Sequence, residues 1–513
     1  MADVRRKTQA PTTVMSQRAR LIFLLLLGLY IFRFSLLGAL QLALDEAHYW
    51  YWSKHLALSY YDHPPMVAYI MALFTGLGGN SELFVRLGGF LCAVMATVLL
   101  FLTARTLEPE EGDRAWEAVG VLNLSLLFAA GCFIQTPETP LLLFWTLALF
   151  SGAKLITTRR AHWWYVFGFA VGLGLLSKYT MILIMPCMFG FLLLSREHRY
   201  WLYRKEPYLA AGIALLLFTP VFIWNSQHQW ISFAFQLHHG FTPDEDSGVV
   251  KLLSYLGGQL VSMTPLLLCA FVYYSLWGLY FAIKQRHTVY LYLAAMSWPI
   301  LVFFGISTWR GETAEPNWTA PAYLAGGLLM WMVYRRFFSD QHGHRRFMSV
   351  TLVVALIMNL AIYMHLLIPF IPIPPHQDQF KQFRGWREMG QTIESYMAQY
   401  PSPSGYFLVA NRGLTTVSEA VFYTGNRFLG IDFFRPHELT FLQGEIDDLK
   451  GKNAMILIND FKETSIERYR PFFKDVQLIG KNEFDYRGHS VYRLNLHILL
   501  GKTFLGNWSP QIP

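Results

Sequence analysis

The stretch LIFLLLLGLYIFRFSLLGALQLAL, residues 21–44, runs directly into DEAHYWYWS, residues 45–53. The first part is apolar over more than the roughly 20 residues that a helix needs to cross a bilayer. Two adjacent acids, Asp45 and Glu46, follow where that helix should leave the hydrocarbon. Similar blocks recur at Leu83–Leu107, Ala115–Ile134, Pro140–Thr158, Trp163–Leu176, Tyr179–Ser195, Pro207–Trp224, Leu252–Phe281, Val289–Thr308, Ala320–Phe338 and Phe347–Pro369. They predict about eleven spans. Leu252–Phe281 contains Gly257, Gly258 and Pro265, so it reads either as one tilted helix or as a broken pair.

Composition agrees. The 513 residues are 54% hydrophobic and 15% charged, against about 45–50% and about 25% in soluble domains. Disordered, collagen-like and disulfide-scaffold classes are excluded by this much unbroken apolar sequence. The first block is too long for the apolar core of a secretory signal, and no small-residue cleavage site follows it. Cys92, Cys132, Cys187 and Cys269 all fall within apolar blocks without short spacing, so they read as packing residues.

Charge placement predicts the orientation. Lys and Arg gather in alternate connections, including Arg5, Arg6 and Lys7, Arg159 and Arg160, Arg204 and Lys205, and Arg335, Arg336, Arg345 and Arg346. The opposite side carries only Lys54, Arg86, Lys178, Lys251 and Arg310 before the last span ends. The positive-inside rule then puts the N-terminal tail (1–20) in the cytoplasm and the end of the last span outside. The net charge of +8 is mostly topology, and nucleic acid is not an expected partner.

After Ile371-Pro-Ile-Pro-Pro375 the composition turns mixed, so residues 21–375 read as a membrane domain and 376–513 as a small outer α/β domain able to bury its own core. Strands are expected at Tyr406–Ala410 and Ala454–Ile458, helices at Gln379–Gln399, Thr415–Tyr423 and Thr464–Phe473, and a strand-rich portion over Val476–Leu496. Asp485-Tyr-Arg-Gly488 is a turn candidate. There is no G-x-G-x-x-G and no phosphate loop. Asp244-Glu245-Asp246 fits a D-x-D pattern but sits between spans, where a solvated loop is the simpler reading.

Polar groups concentrate at the face where the first span emerges. Residues 45–80 hold Asp45, Glu46, an aromatic run (Tyr49, Trp50, Tyr51, Trp52) and Ser59-Tyr-Tyr-Asp-His-Pro-Pro-Met66, and read as two interfacial helices. Asp45 suits an N-cap, and the rings suit an interfacial belt; the same rings could stack on a sugar or line a lipid channel. Thr136-Pro-Glu-Thr-Pro140, Lys178 in a short turn, and Trp309-Arg-Gly-Glu-Thr-Ala-Glu-Pro-Asn-Trp318 belong to that same face. Acids and cations at one interface suit chemistry there better than transport, which places ionisable groups near mid-depth.

In this order, Asp45-Glu46, His63-Pro-Pro65, Thr136–Pro140, Ser177-Lys-Tyr179 and Glu315-Pro-Asn-Trp-Thr-Ala-Pro-Ala-Tyr323 resemble bacterial members of glycosyltransferase family 39. That family's relatives include protein O-mannosyltransferases, lipid A aminoarabinose transferases and lipopolysaccharide galacturonic acid transferases. The likeness covers roughly residues 20–425, including Arg412–Tyr423. It implies the C-type glycosyltransferase fold in a bacterial inner membrane. It further implies inverting transfer, on the periplasmic side, from a polyprenyl-phosphate sugar to a cell-envelope acceptor: lipid A or core oligosaccharide first, another glycan second, protein third.

Under that resemblance Asp45 is the general base, and Glu46 and Glu138 position hydroxyls. His63, Lys178 and Arg310 offset the leaving phosphate, and Tyr49, Tyr61, Glu315 and Asn317 position substrate. No cofactor is implied, although acids at this face could recruit a divalent ion. The aminoarabinose transferases carry lysine where this chain has His63, and the second acid of the Thr-Pro motif is usually aspartate rather than Glu138. The alternatives are a transporter of lipid-linked sugar, which predicts repeat symmetry, and a non-catalytic binder, which predicts loss of the acidic pair.

Overall fold

A computed structural model describes residues 15–241, 247–374, 377–411, 413–442, 444–459, 461–487, 489–490 and 495–508. Arg5, Arg6, Lys7, Asp244-Glu245-Asp246, Pro375, Arg412 and Gly488 lie outside the described residues.

The helices in chain order are α1 (Gln17–Leu36), α2 (Leu44–Lys54), α3 (Met66–Gly78), α4 (Glu82–Leu107), α5 (Gly112–Leu122), α6 (Leu126–Ala130), α7 (Glu138–Thr158), α8 (His162–Leu175), α9 (Ile184–Leu194) and α10 (Glu206–Gln227). They continue with α11 (Ile231–Phe241), α12 (Gly248–Met263), α13 (Pro265–Lys284), α14 (Thr288–Ala295), α15 (Trp298–Arg310), α16 (Ala320–Val333) and α17 (His342–Leu367). Among the described residues seven helical segments are long and apolar enough to cross a membrane, the stacked α14–α15 pair forming one of them. The protein is a membrane protein built mainly of helices.

The remaining apolar blocks are shorter or interrupted. Ala115–Ile134 breaks at Asn123-Leu124-Ser125, where the Ser125 hydroxyl caps α6. Leu252–Phe281 is the broken pair: Thr264 takes φ +66° ahead of Pro265, whose ring disfavours a helical residue before it. The first block gives a helix ending at Leu36 rather than at Leu44. The Arg86 guanidinium explains this, because it takes the carbonyls of Leu37, Leu40 and Gln41 at 2.8 Å each.

Beyond α17 come α18 (Trp386–Gln399), α19 (Leu414–Tyr423) and α20 (Glu463–Tyr469), with strands β1 (Tyr406–Ala410), β2 (Gly430–Ile431), β3 (Asn453–Ile458), β4 (Phe473–Asn482), β5 (Asp485–Tyr486), β6 (His489–Ser490) and β7 (Leu496–Phe504). Five strands form a mixed sheet in the order β2-β1-β3-β7-β4. β1 runs parallel to β2 and β3, and β7 runs antiparallel to β3 and β4. β7 extends past the expected strand-rich portion, and its Ile498, Leu499 and Leu500 are buried. Gly385, at φ +87°, splits the expected helix over 379–399.

The core of the sheet region does not stop at the region's boundary. Its hydrophobic cluster is continuous with Trp50, Tyr51, Trp52 and Tyr60 and with Val67 and Met71 of α3. Tyr51 locks the two together, its hydroxyl donating to the Gly430 carbonyl (3.0 Å) and accepting from the Gly430 N–H (2.9 Å).

Candidate active site

A cavity of about 330 Å³ lies where the ends of several helices meet. Its walls bring together Asp45 and Tyr49 from α2, His63 from the α2–α3 connection, Glu138 from the start of α7, Lys178 from the end of α8, and Glu315 and Asn317 ahead of α16. Seven of the residues singled out in the sequence, scattered over some 270 positions, therefore face one space.

Local structure explains how each arrives there. Thr136 and Thr139 close the Thr-Pro turn: the Thr139 hydroxyl donates to the Thr136 carbonyl (2.6 Å) and accepts its N–H (3.2 Å). Pro137 then leads into α7 and leaves Glu138 at its first position, where the helix dipole favours a carboxylate. Lys178 sits just past the end of α8 in extended backbone (φ −155°), which turns its side chain out of the helix line. Its ammonium pairs with Glu138 Oε1, and the same oxygen accepts from Asn317 Nδ2 at 2.7 Å. The Lys178 ammonium also lies 5.6 Å from the Trp318 ring centre.

Asn317 is held by the short helical turn Pro316–Thr319. Gln259 of α12 pins that turn, accepting from the hydroxyls of Thr319 (3.0 Å) and Tyr323 (2.7 Å). The His63 ring centre is 6.0 Å from that of Tyr49. Met66 N donates to the Leu176 carbonyl (3.0 Å), tying the Pro-Pro segment to the end of α8 near Lys178.

Two expected site residues stand elsewhere. Glu46 is fully buried and makes a two-point ion pair with Arg86, at 2.9 Å from Nε and 2.7 Å from a terminal nitrogen. Its oxygens also accept the N–H groups of Ala43 (2.9 Å) and Gln135 (3.1 Å). It thus caps α2 and anchors the strand of chain leading to Thr136. Arg310 ends α15 with an exposed side chain and does not line the cavity. Tyr61 stands at the rim, its ring 4.7 Å from that of Phe235, which does line the cavity.

Several lining residues were not singled out in the sequence. Asp62 is the most consequential. It stands between Tyr61 and His63 in the Ser59–Met66 stretch. Burial pushes its carboxyl up to about 7, with Glu438 and Asp45 adding to the shift. His48, one helical turn after Asp45, has Nε2 4.0 Å from the Asp62 carboxylate. Burial holds that imidazole down at about 4, so it is neutral at physiological pH. Phe235 and Gln236 come from α11, within a segment that carries no long apolar block; the Gln236 amide donates to the Asp62 carbonyl at 2.6 Å. Among the described residues no three His, Cys, Asp or Glu side chains are grouped to hold a metal ion.

Comparison with known proteins places this arrangement. A family model described as dolichyl-phosphate-mannose-protein mannosyltransferase matches residues 62–224. The lipid A galacturonosyltransferase RgtD of Rhizobium johnstonii is 27% identical over 391 residues, covering 75% of this chain and 79% of that protein. The fold is that of ArnT from Cupriavidus metallidurans. Its apo crystal structure matches with a TM-score of 0.66 at 16% identity, and its undecaprenyl-phosphate complex with 0.64 at 15%; both cover 94% of this chain and 98% of the other. Residues 62–224 are thus similar to that mannosyltransferase family, most of the chain is similar to RgtD, and the fold is shared with ArnT.

Proposed function

We propose that the protein is an inverting transferase that moves a sugar from a polyprenyl-phosphate donor to a cell-envelope acceptor, lipid A or another glycan, at the outer face of the inner membrane. The carrying observation is the convergence of Asp45, Glu138, Lys178, His63, Glu315 and Asn317 on one cavity at the end of the helix bundle. A lipid donor reaches such a place from within the bilayer and needs no nucleotide site. The amino terminus lies in the cytoplasm, the chain crosses about eleven times, and residues 376–513 lie in the periplasm; the Lys and Arg bias of the connections supports this.

In this reading Asp45 accepts the proton of the acceptor hydroxyl as its oxygen attacks the anomeric carbon. The bond from that carbon to the phosphate oxygen breaks, and its electrons leave with the phosphate. Base assistance of this kind contributes about 10²–10⁴-fold. The leaving phosphate needs positive charge more than a proton, and Lys178 with His63 supplies it in a cleft screened from bulk water. Glu138 and Asn317 fix the Lys178 ammonium through one shared oxygen, while Tyr49 and Glu315 contact the sugar.

The test is transfer in proteoliposomes from a polyprenyl-phosphate sugar to envelope glycolipid. Asp45→Asn should fold and bind donor lipid yet lose transfer by about 100-fold or more. Near-normal turnover in that variant removes Asp45 from the mechanism. Donor translocation without transfer by the unaltered protein would favour a transporter.

A further inference from the structure

Four carboxyls line the cavity, those of Asp45, Asp62, Glu138 and Glu315, against one ammonium, Lys178, and one imidazole, His63. A donor phosphate adds a further negative charge to this space. Lys178 already pairs with Glu138, whose Oε1 it shares with Asn317. Admitting an anion therefore favours a proton on one of the other carboxyls, because like charges in one cleft disfavour each other's ionised form. The surroundings of each acid decide which one holds it.

Asp45 and Glu315 are exposed, so water solvates their charge. Asp62 is more enclosed, with 27% of its side chain accessible. Among the described residues no Lys or Arg pairs with its carboxyl, and the basic group that approaches it, His48 of α2, stops 4.0 Å short. That is too far for a hydrogen bond, and burial keeps the imidazole neutral at physiological pH. Asp45 and Glu438, the latter on the short helical segment Pro436–Leu442, add negative charge around it. Tyr49 and Tyr61 carry phenols that burial keeps protonated, and α11 presents the uncharged amide of Gln236. Every one of these neighbours leaves the proton on Asp62. Two acids of one cavity are thus driven apart, Glu138 ionised by its lysine and Asp62 neutral.

The chain also fixes where that acid stands. The Gln236 amide donates to the Asp62 carbonyl at 2.6 Å, and the Tyr60 N–H donates to the His63 carbonyl at 3.1 Å. Asp62 is thereby held on the cavity wall directly beside His63.

We propose that Asp62 serves the donor complex as a neutral carboxylic acid, its O–H donating to a phosphate oxygen of the polyprenyl-phosphate sugar. The inference rests on the transferase reading, which seats that phosphate against Lys178 and His63. The proton stays on Asp62, so the group holds and orients the phosphate without entering the bond that breaks. The Asp62 carboxyl titrates at about 7 in the free protein, so binding donor at higher pH draws in a proton from water.

The experiment titrates the purified full chain in micelles with the methyl diester of polyprenyl phosphate, a probe whose single charge is constant between about pH 5.5 and about pH 8.5. Over this range the Kd of the unaltered protein should rise by about tenfold or more beyond any rise in Asp62→Asn. The slope left in that variant belongs to His63, since imidazole titrates within the range. Asp62→Asn, whose amide donates at every pH, should bind more tightly than the unaltered protein at the upper end. Asp62→Ala should bind about tenfold more weakly than the unaltered protein at the lower end, the loss of one charge-assisted hydrogen bond. Parallel pH curves for the unaltered protein and Asp62→Asn, or tighter binding by the unaltered protein at high pH, overturn the neutral-acid role. Full affinity in Asp62→Ala at low pH overturns the hydrogen bond. Failure of the unaltered protein to bind the probe at any pH overturns the transferase reading itself.

Discussion

Glu46 and Arg86 offer a way to separate a residue that acts on substrate from one that builds the site. Neither side chain is exposed, and every N–H of the Arg86 guanidinium is engaged: two with Glu46 and three with the carbonyls of Leu37, Leu40 and Gln41. Arg86→Gln strands a buried carboxylate with only two backbone N–H partners and leaves three carbonyls without theirs. Removing one partner of a buried pair costs about 3–5 kcal/mol. Glu46→Gln keeps one acceptor oxygen and turns an amide toward the guanidinium, so it should cost less, about 1–3 kcal/mol. The double variant should be more stable than the sum of the two changes predicts, with a coupling of about 2 kcal/mol. Reversible denaturant unfolding in mixed micelles, followed by tryptophan fluorescence, measures all four corners of the cycle. Transfer by Glu46→Gln should scale with the folded fraction. Native stability combined with a 100-fold loss of turnover would refute the structural role and return Glu46 to the chemistry.

Other outcomes follow from the same geometry. Lys178→Ala should weaken donor-lipid binding by about tenfold or more, read by titration with polyprenyl phosphate; an unchanged dissociation constant would limit Lys178 to its pairing with Glu138. Glu419 on α19 is fully buried with no hydrogen-bond partner for either oxygen among the described residues, and burial raises its carboxyl well above the ordinary range. Its folded form binds the proton more tightly than the unfolded chain does, so stability from this group is complete at low pH and falls as pH rises toward the folded value. Glu419→Gln should remove that slope, seen by comparing unfolding midpoints at about pH 5 and about pH 9; parallel curves for both proteins would count against it. Ending the chain before Leu496 deletes β7, which pairs with both β3 and β4. Because the sheet shares its core with α2, this truncation should abolish transfer as well as the sheet, and retained activity would contradict the shared core.

The sequence by itself determined the membrane class, because spanning a bilayer is a matter of local length and polarity that each apolar block carries within itself. It also pointed to seven of the residues that line the cavity, since prolines and short turns mark where a polar group can leave a helix at the interface. β1 and β3 were legible from compact apolar runs, whereas the interior place of β7 in the sheet depends on pairing with β3, whose residues lie 39–47 positions away. Tertiary structure alone decided between Asp45 and Glu46. Consecutive helical residues point about 100° apart, so only one of two adjacent acids can face the cavity, and Arg86, brought in by α4, claims the other. Tertiary structure likewise set the C-terminal region on α2, through Tyr51 and the aromatic rings around it, so that the two share one hydrophobic cluster. Distant pairing and shared burial leave no periodic mark on a chain, and only folding brings such groups together.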